Sequence, residues 1–200
     1  MSEDEVCIFY EIRKECVMTQ EDRVEKVEAK IEQLIREFKQ YPDKFLTEED
    51  LRSYLYHLLL EDFETIESTE DNSQSISLHC EVRWYGESQK LKYRSDIVIF
   101  DVSQLITSKD IFDLPTKGYG FNNPFIIIEI KLRRINGVTD AQFKKDLKND
   151  RKRLEKIRSE MPTQSTKLFT YLLGFDKKSD IHFAVINDDL KEYYITKIYL

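Results

Sequence analysis

Apolar residues recur at intervals of three and four in three stretches of the chain, the spacing of an amphipathic helix. The first predicted helix covers Glu21 to Gln40 and ends before Pro42, which cannot continue a helix. Its apolar stripe consists of Val24, Val27, Ile31, Leu34 and Phe38. The second helix begins after Thr47, a typical N-cap residue, and runs to about Phe63. The third is a long charged helix from Thr139 to Ser159.

Alternating apolar and polar residues, together with short apolar runs, predict the strands. They lie at Ile76–Trp84, Lys92–Val102, Phe125–Leu132, Leu168–Phe175, Ile181–Ile186 and Tyr193–Tyr199. The run from Phe125 to Leu132 is almost continuously apolar, which is typical of a central strand buried on both faces. The polar stretch from Glu64 to Ser75 is expected to be a loop.

The order of these elements indicates an α/β fold with a mixed sheet flanked by helices. A helix between the third and fourth strands is the connection expected between two parallel strands. We expect one domain over residues 1–200, since this length is within the usual range for a single domain. Residues 1–45 would form an N-terminal helical extension, and residues 46–200 a core with an insertion at about 103–124, where the periodicity is weak.

The composition excludes a disordered or fibrous chain, because hydrophobic residues make up 40% of it and it contains 12 Phe and 11 Tyr. The longest apolar run, Phe125 to Ile128, is far shorter than the roughly 18 to 20 residues of a membrane span. The acidic start, MSEDEV, does not resemble a signal or transit peptide. We therefore expect a cytoplasmic protein that does not associate with membranes.

The cysteines and histidines do not predict a metal site. Cys7, Cys16 and Cys80 lack CxxC spacing and are expected to be free thiols in a reducing compartment. The three histidines are scattered along the chain.

Charge is distributed unevenly. The net charge is -7, and residues 1–70 contain nine Lys or Arg against 20 Asp or Glu. Residues 131–158 contain 11 Lys or Arg against four Asp or Glu. A basic segment in an acidic protein is a candidate surface for a polyanion. The same charges are also compatible with the solvated outer face of a helix.

The most informative residues are the charged ones in the most apolar strand. Glu129 and Lys131 are two positions apart and therefore point to the same face. Asp96 opens the apolar part of the preceding strand, and Glu48 lies on the helical face that carries Leu51. Buried charges are costly unless they are paired or bind something. Carboxylates on adjacent strands suit Mg²⁺, which prefers oxygen ligands and can activate water. An ordinary cross-strand ion pair is the alternative.

This arrangement, Ser95-Asp96 followed by Glu129-Ile130-Lys131 and preceded by Glu48, resembles the PD-(D/E)XK nuclease superfamily with its restriction-endonuclease-like fold. The resemblance covers about Thr47 to Phe175, with Ser95 in place of the proline of the motif. It implies an α-β-β-β-α-β core with the Asp on the second core strand and the ExK on the third. The resemblance implies catalytic roles for Lys131, Glu129, Asp96 and Glu48. It implies metal binding by Asp96, Glu129 and Glu48.

The resemblance also implies a cofactor and further site residues. The cofactor would be Mg²⁺, with Mn²⁺ as a substitute. Glu49 is a less favoured replacement for Glu48. A supporting shell is expected among Gln142, Asp146 and Asp150. The residues expected to contact nucleic-acid phosphates are Arg133, Arg134, Lys144, Lys148 and Arg151.

The sequence therefore predicts a metal-dependent endonuclease that hydrolyses DNA phosphodiester bonds through a metal-activated water. One alternative is a non-catalytic nuclease-like module that binds DNA or a protein partner. Another is an interaction protein that docks through its acidic helix, Glu21 to Gln40. A homodimer is compatible with duplex cleavage, which usually needs two active sites.

Overall fold

The computed structural model describes residues 18–85, 91–107, 124–160, 168–178, 183–187 and 190–196. Three helices, α1 (Gln20–Gln40), α2 (Glu48–Phe63) and α3 (Asp140–Glu160), confirm the helices predicted from periodicity. A short 3₁₀ turn, Pro42–Lys44, separates α1 from α2. Among the described residues, no helix is long and apolar enough to span a membrane.

Within the described ranges, the strands form a mixed six-stranded sheet and a separate two-stranded one. Their bounds are β1 (Glu67–Ser68), β2 (Gln74–Ser75), β3 (Leu78–Tyr85), β4 (Leu91–Phe100), β5 (Pro124–Arg133), β6 (Phe169–Asp176), β7 (Phe183–Asn187) and β8 (Leu190–Thr196). In the large sheet the order is β3-β4-β5-β6-β8-β7. The pairs β3–β4, β4–β5 and β7–β8 are antiparallel, whereas β5–β6 and β6–β8 are parallel. Helix α3 connects the parallel strands β5 and β6, as predicted.

Local hydrogen bonds fix where the helices begin. Thr19 and Asp22 form a reciprocal capping box at α1, and Thr47 and Asp50 form another at α2. Asp50 also accepts a hydrogen bond from the backbone amide of Leu46 at 2.7 Å. Because the start of α2 is fixed in this way, the side chains of its first turns have a defined position over the sheet.

Helices cover both faces of the large sheet. Helices α1 and α2 pack on one face through residues such as Leu34 and Leu55, against Ile126 and Ile128 of β5. Helix α3 covers the other face, where Leu154 packs near Ile127. Burial on both faces explains why β5 is apolar at almost every position.

In the β3–β4 hairpin, the apolar side chains of β3 pass from one face of the sheet to the other at Glu81. Leu78 belongs to the core beneath α1 and α2, whereas Val82 and Trp84 belong to the core beneath α3. Regular alternation would place all three on one face. The pairing passes from Cys80–Ile97 to Val82–Ser95, and Glu81 between them has a φ of 57°. The outer half of the hairpin therefore packs over α3, an arrangement that alternation did not predict.

The stretch Glu64–Ser75, expected to be a loop, contains the short antiparallel pair β1–β2. Of the predicted insertion at 103–124, residues 108–123 lie outside the described residues, as do Cys7 and Cys16. Cys80 is a free thiol, as predicted.

Candidate active site

The predicted site residues meet where β4 separates from β5. The ladder between these strands ends at the pair Ile97–Ile128. Beyond this pair, the amide of Ile130 donates to Asp96 Oδ2 at 2.7 Å, and the amide of Leu132 donates to Glu48 Oε1 at 3.3 Å. Two carboxylates thus accept hydrogen bonds from the β5 backbone in place of carbonyls of β4.

Lys131 lies between carboxylates from two helices. Its Nζ is 3.5 Å from Glu48 Oε2 of α2 and 3.5 Å from Asp150 Oδ2 of α3. Burial acts to lower the pKa of Lys131, but the negative charges of Asp150, Glu48 and Asp96 outweigh it and raise the pKa above its ordinary value. The lysine is therefore held as an ammonium ion.

Glu129 is the buried carboxyl group of the site, with 7% of the residue exposed. Burial and the nearby charge of Asp96 raise its pKa well above the ordinary value, although a hydrogen bond from Ser95 acts in the opposite direction. Ser95 is itself held by Trp84, whose Nε1 donates to Ser95 Oγ at 2.9 Å. A cation bound near Glu129 would therefore favour the ionised form of its carboxyl group.

Asp150 is the member of the predicted supporting shell that lies at the site. It is buried, and its carboxylate contacts Lys131 and, at 3.3 Å, Arg153. Burial raises the pKa of Asp150, and the charge of Lys131 opposes this effect. Gln142 and Asp146 instead form a hydrogen bond with each other at the surface.

Arg52 is a site residue that the sequence did not identify. Its guanidinium contacts Asp96 Oδ1 at 3.3 Å and forms ion pairs with Glu49 and Glu81. Its side chain is only 13% exposed. Glu49, the predicted replacement for Glu48, contacts Arg52 from an exposed position. The one available signal was the position of Arg52 one helical turn after Glu48.

The structure contradicts the prediction that Arg133 contacts nucleic acid. The residue is 1% exposed, and its guanidinium pairs with the buried Asp176 and with Asp140. It also lies 5.4 Å from the ring centroid of Phe143. Because Arg133 is near the end of β5, its side chain joins β5 to β6 and α3 instead of reaching solvent.

The other predicted phosphate-binding residues, Arg134, Lys144, Lys148 and Arg151, are exposed. Lys144, Lys148 and Arg151 follow one another at intervals of four and three and share one flank of α3. On the other flank, Arg153 contacts Asp150, and Lys156 lies 6.0 Å from the ring centroid of Tyr93 in β4. The flank nearer the predicted catalytic residues is therefore the one with Arg153 and Lys156.

A divalent cation such as Mg²⁺ needs oxygen ligands. Within the described part of the chain, no three or more His, Cys, Asp or Glu side chains are gathered as a metal-binding group. Asp96 and Glu129 nevertheless act on each other electrostatically across adjacent strands. Two carboxylates completed by water and substrate oxygens are a usual environment for Mg²⁺, which rarely occupies an all-protein cage. Comparison of the chain with protein-family models, curated proteins and solved structures finds no match.

Proposed function

We propose that this protein is a metal-dependent nuclease that hydrolyses phosphodiester bonds, with DNA as its substrate. The observation that carries the proposal is the grouping of Asp96, the buried Glu129 and Lys131 at the point where β4 separates from β5. An ion pair between Glu129 and Lys131 would lower the pKa of Glu129, whereas burial and the charge of Asp96 raise it, and Lys131 pairs instead with Glu48 and Asp150.

The order of elements supports the resemblance to restriction-endonuclease-like folds. Helix α2 precedes an antiparallel meander of β3, β4 and β5, and α3 then leads to β6, which is parallel to β5. Asp96 lies on the second of these strands, and Glu129 and Lys131 lie on the third. This is the distribution that the resemblance implies.

Asp96 and Glu129 would hold Mg²⁺ or Mn²⁺. When bound, the cation supplies an activated water and stabilises charge on a phosphoryl oxygen. Its positive charge would also favour ionised Glu129, whose burial otherwise favours the protonated form.

The chain's own residues supply orientation and charge. The Lys131 ammonium, held by Glu48 and Asp150, can donate hydrogen bonds to the attacking water or to a non-bridging phosphate oxygen. Glu48 is placed against Lys131 and the Leu132 amide, so it orients the lysine. Asp96 is held at both oxygens, by Arg52 and by the Ile130 amide. A fixed geometry of this kind lowers the cost of reaching the transition state.

The test is incubation of the purified protein with supercoiled plasmid and with a single-stranded circle, in Mg²⁺, Mn²⁺ or EDTA, beside Glu129→Ala. We expect metal-dependent cleavage that is lost in the variant, and the two substrates report which strand form is preferred. Binding of DNA without cleavage or metal binding would instead favour a non-catalytic module. A homodimer and a cytoplasmic location stay predictions from the sequence.

A further inference from the structure

Glu81 has a backbone conformation that is unusual for a residue within a strand. Its φ of 57° is in the left-handed region, which residues other than glycine, asparagine and aspartate seldom occupy. It is not in a turn, because Cys80 and Val82 on either side pair with β4. Such conformations persist where the surrounding structure imposes them, and they concentrate at functional sites.

The Glu81 carboxylate takes part in a chain of ion pairs that ends at Asp96. Glu81 contacts Arg52, and Arg52 Nη1 lies 3.3 Å from Asp96 Oδ1. The other oxygen of Asp96 accepts the hydrogen bond from the Ile130 amide. Glu81 also pairs with Arg94 at 2.7 Å, on the exposed side.

Arg52 is the link that makes Glu81 relevant to the site. Its guanidinium is largely buried and is shared among Glu49, Glu81 and Asp96. Without Glu81, the charge of Arg52 would be balanced by the two remaining carboxylates, and Asp96 would be bound more tightly by the arginine. A cation that needs Asp96 would then face stronger competition.

We propose that Glu81 is a positioning residue: its carboxylate holds Arg52 and takes up part of its charge, so that Arg52 orients Asp96 without competing with the divalent cation for it. The proposal rests on the proposed function. The left-handed conformation coincides with the position at which β3 changes its facing, so the Glu81 carboxylate is placed to meet Arg52 beside Asp96.

Two substitutions separate the charge of Glu81 from its backbone conformation. Glu81→Gln and Glu81→Asn both remove the charge, but asparagine tolerates the left-handed region better than glutamine. Mn²⁺ binding is measured by calorimetry without DNA, plasmid cleavage is measured as a function of Mn²⁺ concentration, and thermal melting is followed by circular dichroism. Arg94→Gln is the control, because it removes the exposed partner of Glu81 and leaves Arg52 in place.

We expect both Glu81 variants to bind Mn²⁺ about 10- to 100-fold more weakly. Cleavage should recover at high Mn²⁺, and Glu81→Asn should melt a few degrees above Glu81→Gln. Arg94→Gln should retain the wild-type affinity. Wild-type Mn²⁺ affinity in Glu81→Gln, measured well below its melting temperature, would overturn the proposal. If the wild-type protein itself neither binds Mn²⁺ nor cleaves DNA, the proposed function fails, and this inference fails with it.

Discussion

The ammonium of Lys131 lies 3.5 Å from the carboxylate of Asp150. The pair joins the central strand β5 to the helix that follows it, and Asp150 is largely buried while Lys131 is partly exposed. The carboxylate of Asp150 is shared between Lys131 and Arg153, and the ammonium of Lys131 remains accessible to a substrate.

Lys131→Ala should reduce the cleavage rate by about 10²- to 10³-fold, because the variant lacks a positive charge directed at the phosphate. The fold should persist, since Asp150 keeps its contact with Arg153. Initial rates of plasmid nicking and a circular dichroism melt measure the two effects. Lys152→Ala, on the exposed side of α3, is the control. Retention of wild-type activity in Lys131→Ala would exclude the assigned role.

Asp150→Asn should move the alkaline limb of the pH–rate profile to lower pH. The negative charge of Asp150 raises the pKa of Lys131, so its removal lets the ammonium lose its proton more easily. The maximal rate should fall while Mn²⁺ affinity changes little. Asp146→Asn is the matched control, because Asp146 bonds to Gln142 instead of Lys131. Equal profiles for Asp150→Asn and wild type would contradict the positioning of Lys131 by Asp150.

Glu129→Gln should stabilise the metal-free protein at neutral pH. The folded-state pKa of Glu129 is raised, so ionising it costs stability, and this cost is absent below its ordinary pKa of 4.5 and grows as the pH rises. The melting temperature of the variant should therefore exceed that of wild type increasingly above pH 4.5, and Mg²⁺ should narrow the difference. The control is Glu25→Gln, which makes the same change at an exposed position of α1. If the difference in melting temperature between Glu129→Gln and wild type did not change with pH, ionisation of Glu129 would be excluded as its cause.

Lys148→Glu combined with Arg151→Glu should weaken DNA binding and flatten its dependence on salt, because the variant loses phosphate contacts on this flank of α3. Each lost phosphate contact lowers the slope of log K against log salt concentration by about 0.9 for duplex DNA. The measurement is fluorescence anisotropy at several salt concentrations. The control, Arg36→Glu with Lys39→Glu in α1, makes the same change in net charge. If the two double variants had similar slopes of log K against log salt concentration, this flank of α3 would be a solvated surface that does not contact phosphates.

Arg133→Met should destabilise the fold by about 3 to 5 kcal/mol, because it leaves the charge of the fully buried Asp176 without its main partner. Urea unfolding measures the loss. Adding Asp176→Leu should restore much of the stability, since replacing both partners of a buried ion pair by apolar groups is often neutral. If Arg133→Met instead weakened DNA binding at unchanged stability, the ion pair with Asp176 would not be the principal role of Arg133.

The sequence determined the helices, most strands and the candidate carboxylates. Helical periodicity, the Thr47 cap and the apolar run of β5 depend on short-range spacing, which is visible in the chain itself. Charged residues within an apolar strand also stand out without a structure, because burying them is costly. Glu129 and Lys131 could therefore be identified from the sequence.

Only the tertiary structure decided which charges meet. Arg133, Lys131 and Arg52 each pair with an acid from another element of the fold, so neither the burial of Arg133 nor the chain of contacts from Glu81 to Asp96 has a local signal. The change of facing at Glu81 is likewise set by packing of the hairpin over α3. Local spacing specifies backbone conformation, whereas the pairing of long charged side chains depends on how the completed elements pack together.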